Sequence, residues 1–285
     1  MRASLLFLSP ALLALAIFSV WPMIRALYLS FTEYNIIRPP RWTGLDNYRQ
    51  MIADSQLHNA VVNTLVYAAV GTVGVVVMSM GLAAILNTKF PLRSLVRTAV
   101  FLPYITSLSI VAIAWSFLLN PEIGLLSHWL NEVGFGTGQG VLRSPQLAMP
   151  AVIAVGIWKN LGFYTVIYLA GLQSIPRELY EAASVDGAGP IRRFFKLTVP
   201  LLNNQTLLVA VMATITNVQV FDQVYVMTQG GPFFKTDTIV NLIYRSGFTK
   251  LDFGYASAIS WLLVAILGVL AAVQMIYFRR RAVRY

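Results

Sequence analysis

The 285-residue chain contains no cysteine, only two histidines and 11% charged residues. The absence of cysteine excludes disulfide frameworks, thiolate zinc sites, iron–sulfur clusters and cysteine nucleophiles. Two histidines are too few for a histidine-rich metal centre, so we predict neither a metal site nor catalytic residues. The sequence contains no phosphate-binding P-loop and no dinucleotide fingerprint, and we therefore expect no enzyme activity and no ATP hydrolysis by this chain.

Apolar residues take the place of these groups and make up 57% of the chain. Soluble domains average about 45–50% apolar and about 25% charged residues. This composition excludes an ordinary soluble domain, a disordered chain and a fibrous protein. The net charge of +10 is interpreted as a signal of membrane topology, and no nucleic-acid partner is expected.

Long apolar runs indicate how the chain crosses the bilayer. A transmembrane helix needs about 20 predominantly apolar residues. Six runs meet this requirement: 5–29, 60–87, 97–119, 147–172, 203–227 and 254–278. The sequence therefore predicts an all-α integral membrane protein, with one transmembrane domain over residues 1–285 and six transmembrane helices.

The first run could also be a secretory signal peptide, with Ala14 and Ala16 at a cleavage site. The apolar run continues beyond that site to Trp21, however, so we interpret it as a retained span. Basic residues then set the orientation, because cytoplasmic loops are enriched in them. They concentrate on the side that both termini share: Arg2, Lys89, Arg93, Arg97, Arg177, Arg192, Arg193, Lys196, Arg279, Arg280, Arg281 and Arg284. Both termini are predicted to be cytoplasmic.

Polar side chains inside the apolar runs mark a candidate substrate pathway. A midplane lysine costs about 2.5–3.5 kcal/mol in lipid, so Lys159 must contact protein or solute. An ion pair or carbonyl contact and direct solute contact both remain open. For Thr214 and Asn217, interhelical hydrogen bonds and a hydrated cavity are equally open. The residues assigned to the pathway are Trp158, Lys159, Asn160, Tyr164, Thr214, Asn217 and Phe221.

The segment 173–202 differs from the other connections between runs. Ser174 and Pro176 are placed to begin a helix, which Gly187 ends because glycine tolerates a left-handed cap. Pro190 begins a second helix and Pro200 closes it. The first helix carries small and apolar residues that have no core of their own to bury them. Such a surface is typical of a docking site for a partner protein.

Here the chain resembles the binding-protein-dependent ABC importer permeases. The match rests first on Glu181-Ala182-Ala183 followed by Asp186-Gly187-Ala188, the "EAA" loop of that family. This variant is similar to the carbohydrate-uptake branch that includes the maltose and glycerol-phosphate permeases. Further stretches agree: Trp21-Pro22, Phe101-Leu102-Pro103-Tyr104, 158–163, 170–176 and 221–232.

The resemblance implies a type I ABC importer permease bundle in the bacterial cytoplasmic (inner) membrane. Its 173–202 loop would form cytoplasmic coupling helices that dock into a separate ATPase. The implied coupling residues are Tyr180, Glu181, Ala182, Ala183, Asp186, Gly187 and Ala188. ATP-driven closure of the ATPase would switch the permease between inward- and outward-facing states.

The implied partners are all separate chains. They are a second homologous permease subunit, two cytoplasmic ABC ATPase subunits and an extracytoplasmic solute-binding protein. ATP and Mg would sit on the ATPase subunits, so we expect no cofactor in this chain. A homodimeric permease core is the less favoured arrangement, and the sequence leaves open which sugar, polyol, amino-sugar or glycerol-phosphate ester is carried.

Two other functions are compatible with the composition alone. A secondary transporter or channel would need no ATPase, but such proteins often contain inverted repeats and membrane-buried acidic groups. This sequence shows no related halves, and Asp222 is the only acidic residue near the interior of a predicted span. A membrane scaffold without transport activity is disfavoured by the polar residues in the fourth and fifth runs.

Overall fold

The computed structural model describes residues 2–88, 91–134 and 140–279. Fifteen α-helices account for most of this part of the chain: α1 (Arg2–Leu15), α2 (Trp21–Leu29), α3 (Asp46–Ala53), α4 (Ser55–Asn87), α5 (Arg93–Ile105), α6 (Leu108–Leu118), α7 (Leu125–Glu132), α8 (Ala148–Ser174), α9 (Arg177–Val185), α10 (Pro190–Arg193), α11 (Val199–Leu201), α12 (Asn203–Val218), α13 (Asp222–Met227), α14 (Ile239–Tyr244) and α15 (Phe253–Arg279). Lys89, Arg280, Arg281 and Arg284, which support the predicted orientation, lie outside the described residues.

Short irregular elements complete the chain. π-helical turns cover Ala16–Val20, Phe194–Thr198 and Arg245–Thr249, and a 3₁₀ turn covers Val141–Arg143. Strands β1 (Thr32–Glu33) and β2 (Arg41–Trp42) form one antiparallel pair, with Thr32 opposite Trp42. This pair of two-residue strands is the only β-sheet in the part of the chain described.

Four helical segments are long and apolar enough to cross a membrane by themselves: Leu8–Leu29, Ser55–Asn87, Ala148–Ser174 and Phe253–Phe278. Two further pairs of helical segments are long and apolar enough only when the two segments are taken together. They are Arg93–Ile105 with Leu108–Leu118, bent by 99°, and Pro190–Leu201 with Asn203–Val218, bent by 70°. The number of spans is therefore four, or up to six if each bent pair crosses once. The four straight spans confirm four of the predicted runs in position.

The predicted continuous span 97–119 is wrong in one respect. Helix α5 stops at Ile105, and α6 starts at Leu108 at an angle of 99°. Thr106 and Ser107 are extended, with ψ of 143° and 134°. Pro103 contributes to this ending because it has no N–H to continue the hydrogen-bond ladder. Apolar composition predicts the length of such a run but not its break.

The predicted span 203–227 is also interrupted. Helix α12 ends at Val218, and the separate helix α13 begins at Asp222. Phe221 between them is far from helical geometry, with φ −134° and ψ −64°. Asp222 lies in the first turn of α13, where a negative charge is favourable beside the unpaired N–H groups.

The chain divides into two compact units. The first comprises residues up to His58 together with Ile239–Ile266. Its short strands are held by polar contacts: the Nδ2 of Asn47 donates to the carbonyl oxygens of Ser30 and Thr32, each at 2.9 Å. The backbone N–H of Phe253 donates to the carbonyl oxygen of Tyr34 at 2.9 Å. These bonds join the β1–β2 pair to α3 and to the start of α15.

The second unit comprises residues 59–238 and 267–285. Helix α8 lies at its centre, because 56% of its most apolar stretch is buried. In the first unit, none of the most apolar stretch of Leu8–Leu29 is buried. Two apolar clusters form on α8, one around Tyr67 and Val152 and the other around Tyr168 and Leu202. The second unit thus has an ordered core within which polar side chains are also enclosed.

Gly162 permits the closest approach of α5 to α8. A Cβ atom at this position would overlap the backbone carbonyl of Val100 and lie 2.8 Å from the Cα of Phe101. Helices in membranes associate through such small residues, since lipid provides no hydrophobic driving force between them. The position of α5, and therefore of its broken end at Ile105, depends on this contact.

We expect Gly162→Ala to lower the melting temperature of the purified chain in detergent. Forcing a methyl group into a packed contact costs about 1–3 kcal/mol. Gly81→Ala is the matched control, since no atom lies within 4 Å of the added methyl and alanine favours helix by about 1 kcal/mol. Equal melting temperatures for the two variants would contradict the close contact.

Asp54 caps the start of α4 in the first unit. Its Oδ1 accepts from the backbone N–H of Gln56 at 2.8 Å and of Leu57 at 3.3 Å, and its Oδ2 accepts from the Tyr255 hydroxyl at 2.6 Å. Burial alone would raise the pKa of this carboxyl. The three hydrogen bonds and the nearby charge of Lys250 outweigh burial, so the pKa lies below its ordinary value of 3.8.

A lowered carboxyl pKa stabilises the folded state above the unfolded pKa, and this contribution is lost as the pH falls through the folded pKa. We therefore expect Asp54→Ala to destabilise the chain at neutral pH by about 0.5–2 kcal/mol, as for loss of a helix cap. The difference in melting temperature from wild type should shrink below about pH 4. Glu33→Ala, which removes only an exposed ion pair with Arg41, should show little effect at either pH.

Candidate functional site

A cavity of about 280 Å³ lies inside the second unit. Side chains from α4, α6, α8, α12, α13 and the connection between the last two helices surround it. Most of them are polar: the lining residues are Tyr67, Leu108, Lys159, Asn160, Thr216, Asn217, Gln219, Val220, Phe221, Asp222 and Gln223. A polar cavity among apolar helices is expensive unless it holds water or solute, and this makes it the candidate site.

Lys159 is buried in the wall of the cavity and is held by the broken end of α5. Its Nζ donates to the carbonyl oxygens of Tyr104 at 3.1 Å and Pro103 at 3.4 Å, and it lies 5.4 Å from the centre of the Tyr104 ring. The last carbonyl groups of a helix have no partner within the helix and carry partial negative charge. Of the alternatives that the sequence left open for Lys159, the structure therefore shows the contact with backbone carbonyl groups.

Two asparagines that line the cavity are held by hydrogen bonds from Nδ2. Asn160 donates its Nδ2 to the carbonyl oxygen of Gly156 at 2.9 Å, and Asn217 donates its Nδ2 to the Thr72 hydroxyl at 3.1 Å. Both Nδ2 groups are thus engaged within the protein. Each amide still has its Oδ1 as an acceptor and the second N–H of its Nδ2 as a donor.

In Gln223 the amide oxygen, and not the amide nitrogen, is the atom bonded within the protein. The Tyr67 hydroxyl donates a short hydrogen bond to its Oε1, so its Nε2 is the group left for a ligand. Tyr67 and Gln223 are both almost fully buried. The cavity therefore combines amide donors and acceptors with the aromatic ring of Phe221.

The structure brings together four of the seven predicted pathway residues, namely Lys159, Asn160, Asn217 and Phe221. The other three lie elsewhere. Thr214 is buried behind the cavity, within hydrogen-bonding distance of Thr72. Tyr164 belongs to an apolar cluster. Trp158 packs edge-on against Trp115, with ring centres 5.4 Å apart, and lines a separate apolar cavity of about 350 Å³.

Five polar lining residues were not among the predicted pathway residues: Tyr67, Thr216, Gln219, Asp222 and Gln223. The last three form a polar cluster at the end of the fifth apolar run, and that clustering is a signal available in the sequence. Tyr67 offers no such signal, because a tyrosine inside an apolar run is equally typical of a core position.

The cavity is suited to binding and not to covalent chemistry. Its lysine is engaged by carbonyl oxygens, and both its asparagines are held by hydrogen bonds within the chain. Amide groups and an aromatic ring in a partly enclosed polar cavity are groups that orient a hydroxylated solute.

The segment after α8 forms a second candidate region. Helix α9 ends in a Schellman motif: the backbone N–H of Ala188 donates to the carbonyl oxygen of Ala183 at 2.9 Å, and that of Gly187 donates to Ser184 at 3.0 Å. Gly187 has φ +72°, the left-handed geometry that this motif requires. The turn predicted at Asp186-Gly187 is confirmed.

The ends of this helical hairpin differ from the prediction in two details. Ser174 does not cap α9, because its hydroxyl donates to the carbonyl oxygen of Gly171 at the end of α8. Pro176 occupies the cap position instead. Pro200 does not close the second helix but lies inside α11, which continues to Leu201, as proline is tolerated in the first turn of a helix.

Helix α9 contains no buried residue. Glu181 and Ala182 are exposed, and large apolar side chains beside them are exposed too, including Val185 (88%), Ile191 and Phe195. Apolar side chains clustered in this way are typical of a protein interaction surface. The remaining predicted coupling residues lie on the same hairpin.

Side-chain hydrogen bonds join the two arms of the hairpin to each other. The Tyr180 hydroxyl is 3.0 Å from that of Thr198, and Arg193 donates to the Ser184 hydroxyl at 2.6 Å. Tyr180, Arg193 and Thr198 also line a groove of about 420 Å³ beside the end of α4. These bonds connect α9 to α10 and to the turn before α11, which leads into α12.

Comparison with known proteins identifies relatives over nearly the whole chain. A family model described as "Binding-protein-dependent transport system inner membrane component" matches residues 75–284. The chain is 34% identical to the sulfoquinovosyl glycerol transport system permease protein SmoG of Agrobacterium fabrum, covering 98% of this chain and 91% of that protein. It is also 34% identical to the sn-glycerol-3-phosphate transport system permease protein UgpA of Escherichia coli strain UTI89, covering 98% and 95%.

Solved structures show the same architecture. A chain of a bacterial ABC transporter involved in the import of the acidic polysaccharide alginate matches with a TM-score of 0.86 and 27% identity, covering 98% of this chain and 96% of that one. The alginate transporter in complex with an alginate pentasaccharide-bound periplasmic protein matches with a TM-score of 0.83 and 26% identity, covering 98% and 95%.

We expect Lys159→Met to lower the melting temperature of the chain in detergent, because the carbonyl oxygens of Pro103 and Tyr104 would lose their donor. A buried polar group without a partner costs about 1–3 kcal/mol. Lys235→Met, at an exposed lysine, is the matched control and should melt like wild type. A Lys159→Met chain as stable as that control would show that the lysine does not stabilise the broken helix.

Proposed function

The chain belongs to the family of binding-protein-dependent transport system inner membrane components, and on this premise we propose that it is a transmembrane permease subunit of an ATP-driven ABC importer for a sugar or sugar-like solute. It is a multi-pass protein of the bacterial inner membrane. In this proposal each bent helix pair crosses the membrane once, giving six spans with both termini in the cytoplasm. The family match favours an importer over a secondary transporter or channel.

The observation that carries the proposal is the exposed hairpin that begins with α9. It presents Glu181, Ala182 and exposed apolar side chains, and its other side is held to the second arm of the hairpin through Tyr180 and Arg193. A helix with one free face and one fixed face is suited to docking in a groove of another protein. The partner is a cytoplasmic ABC ATPase, and the coupling residues are those of 180–183 and 186–188.

In this mechanism the hairpin transmits motion and the cavity passes the solute. Small residues at Ala182 and Ala183 allow close approach of the ATPase, while Glu181 provides a charge for a bond in its cleft. Movement of α9 is passed through α10 and α11 to α12, which carries Asn217. Alternating access then exposes the cavity first to the outside and later to the cytoplasm.

The proposed assembly contains this chain, a second homologous permease, two ATPase subunits with their ATP and Mg, and an extracytoplasmic solute-binding protein. The transporter solved with an alginate pentasaccharide-bound periplasmic protein supports the last of these partners. The solute is carbohydrate-like, because the relatives are named for sulfoquinovosyl glycerol and sn-glycerol 3-phosphate and the cavity offers hydrogen bonds suited to hydroxyl groups.

We expect Glu181→Lys and Gly187→Trp to abolish ATP-dependent uptake while the chain still inserts into the membrane. The first reverses the docking charge, and the second places a side chain at a left-handed position. Uptake is measured in proteoliposomes that contain the complete transporter, with sn-glycerol 3-phosphate, sulfoquinovosyl glycerol and alginate pentasaccharide as probes. Lys235→Met controls for reconstitution.

Since the chain has no cysteine, a single introduced thiol also tests the docking directly. Ala182→Cys should crosslink to the ATPase subunit, whereas Val133→Cys, predicted to lie on the other side of the membrane, should not. Normal uptake by both hairpin variants, together with no crosslink from position 182, would overturn the coupling role.

A further inference from the structure

A groove of about 220 Å³ lies between α5 and α8, beside the last turn of α4. Val100, Val166 and Ala170 give it an apolar wall, and the last two are exposed although they belong to a membrane span. Arg97 and Gln173 line the end of the groove where α4 and α8 end and α5 begins. The groove is therefore apolar along most of its length and polar at one end.

Arg97 is only partly satisfied within the chain. Its Nη2 donates to the carbonyl oxygen of Leu86, in the last turn of α4, at 3.2 Å. Its Nε is buried and has no hydrogen-bond partner among the described residues. Lys159, by contrast, contacts two carbonyl oxygens and an aromatic ring. Because a guanidinium carries five N–H groups, the contact with α4 uses a small part of what Arg97 can donate.

The positive charge at this end of the groove is not balanced by a carboxylate in the described part of the chain. The four ion pairs found there join other residues. Arg93 lies four residues before Arg97 on α5, and residues four apart occupy the same face of a helix. Two like charges in this arrangement destabilise a helix, and a bound anion removes that repulsion. The polar end of the groove is thus electrostatically complementary to an anion.

We propose that this groove binds one anionic phospholipid. Its phosphate accepts hydrogen bonds from Arg97 and Gln173, and one acyl chain lies along Val166 and Ala170. The lining residues of α8 run from Gly162 to Gln173, a distance of about 16 Å at 1.5 Å per residue. This length is about half the 30 Å hydrocarbon thickness of a bilayer. A headgroup at the polar end and a chain along the rest of the groove therefore fit within one leaflet.

Arginine is suited to this role because its planar guanidinium donates to two phosphate oxygens at once. The choice of leaflet rests on the proposed function, whose orientation places the polar end of the groove on the cytoplasmic side. Anionic lipids give that leaflet a negative surface potential, which attracts basic side chains. The binding of the lipid does not depend on that orientation, since it follows from the groove and its charge.

The binding is tested by native mass spectrometry of the full-length chain in detergent, titrated with phosphatidylglycerol or with zwitterionic phosphatidylcholine. We expect one phosphatidylglycerol to bind, and to bind more tightly than phosphatidylcholine. Arg97→Gln should weaken this binding about fivefold, the contribution of one basic residue at an anionic lipid surface. Arg192→Gln is the matched control, because it removes an exposed arginine that does not line the groove, and it should bind like wild type.

Ala170→Phe tests the apolar part of the groove and keeps Arg97 in place. Because Ala170 is exposed, the variant should fold and melt like wild type without lipid, while the larger side chain occupies the path of the acyl chain. Phosphatidylglycerol should therefore bind more weakly and raise the melting temperature less than in wild type. Inorganic phosphate, added without lipid, is the probe for a free anion.

The outcomes separate a lipid site from its alternatives. Equal binding of phosphatidylglycerol by wild type, Arg97→Gln and Ala170→Phe would overturn the proposal. If inorganic phosphate stabilises wild type and Ala170→Phe as much as phosphatidylglycerol does, the groove takes a free anion and the lipid site is also overturned. If the lipid binds the single chain but not the complete transporter, another subunit covers the groove, with the same consequence.

The lipid site and the proposed function fail separately. Proteoliposomes that contain the complete transporter and phosphatidylglycerol are supplied with sn-glycerol 3-phosphate or sulfoquinovosyl glycerol. If the wild-type transporter binds phosphatidylglycerol through Arg97 but takes up neither solute, the lipid site stands and the proposed function fails for these solutes. If it takes up a solute and Arg97→Gln binds the lipid like wild type, the importer stands and the lipid site is overturned.

Discussion

A buried lysine bonded to the end of a broken helix is the interaction on which the site depends. Helix α5 stops within the apolar part of the chain, and a helix end there is tolerated only where protein or enclosed water satisfies its carbonyl groups. Lys159 satisfies two of them. The same contact also stabilises the buried charge of the lysine, which lies at the negative end of the helix. The break can therefore open a polar cavity between helices without leaving charge or carbonyl groups exposed to lipid.

The sequence was sufficient for the parts of the fold that depend on length and composition. The long spans around α4, α8 and α15 follow from apolar runs, and the turn at Gly187 follows from a requirement for left-handed geometry that glycine meets best. The resemblance drawn from Glu181-Ala182-Ala183 and the following Asp186-Gly187-Ala188 agrees with the family match. Each of these inferences uses information that lies within a few consecutive residues.

The breaks and the inner lining could not be obtained in this way. A bend at Thr106 leaves the apolar run uninterrupted in sequence, and only the partner Lys159, more than fifty residues away, shows that it is stable. Tyr67 joins the site through Gln223, again a distant residue. Ser174 and Pro200 were assigned to helix ends by local preference, but contacts with neighbouring turns decide their positions. Residues whose role depends on distant partners are those that local patterns miss.

Trp158 and Lys159 are neighbours in sequence on α8, and their side chains point about 100° apart around its axis. One faces the apolar cavity shared with Trp115 and the other faces the polar cavity. A single turn of helix thus separates a polar cavity from an apolar one. Because adjacent positions face different cavities, a shift of one residue in this helix would place an ammonium group among apolar side chains, where its charge is costly.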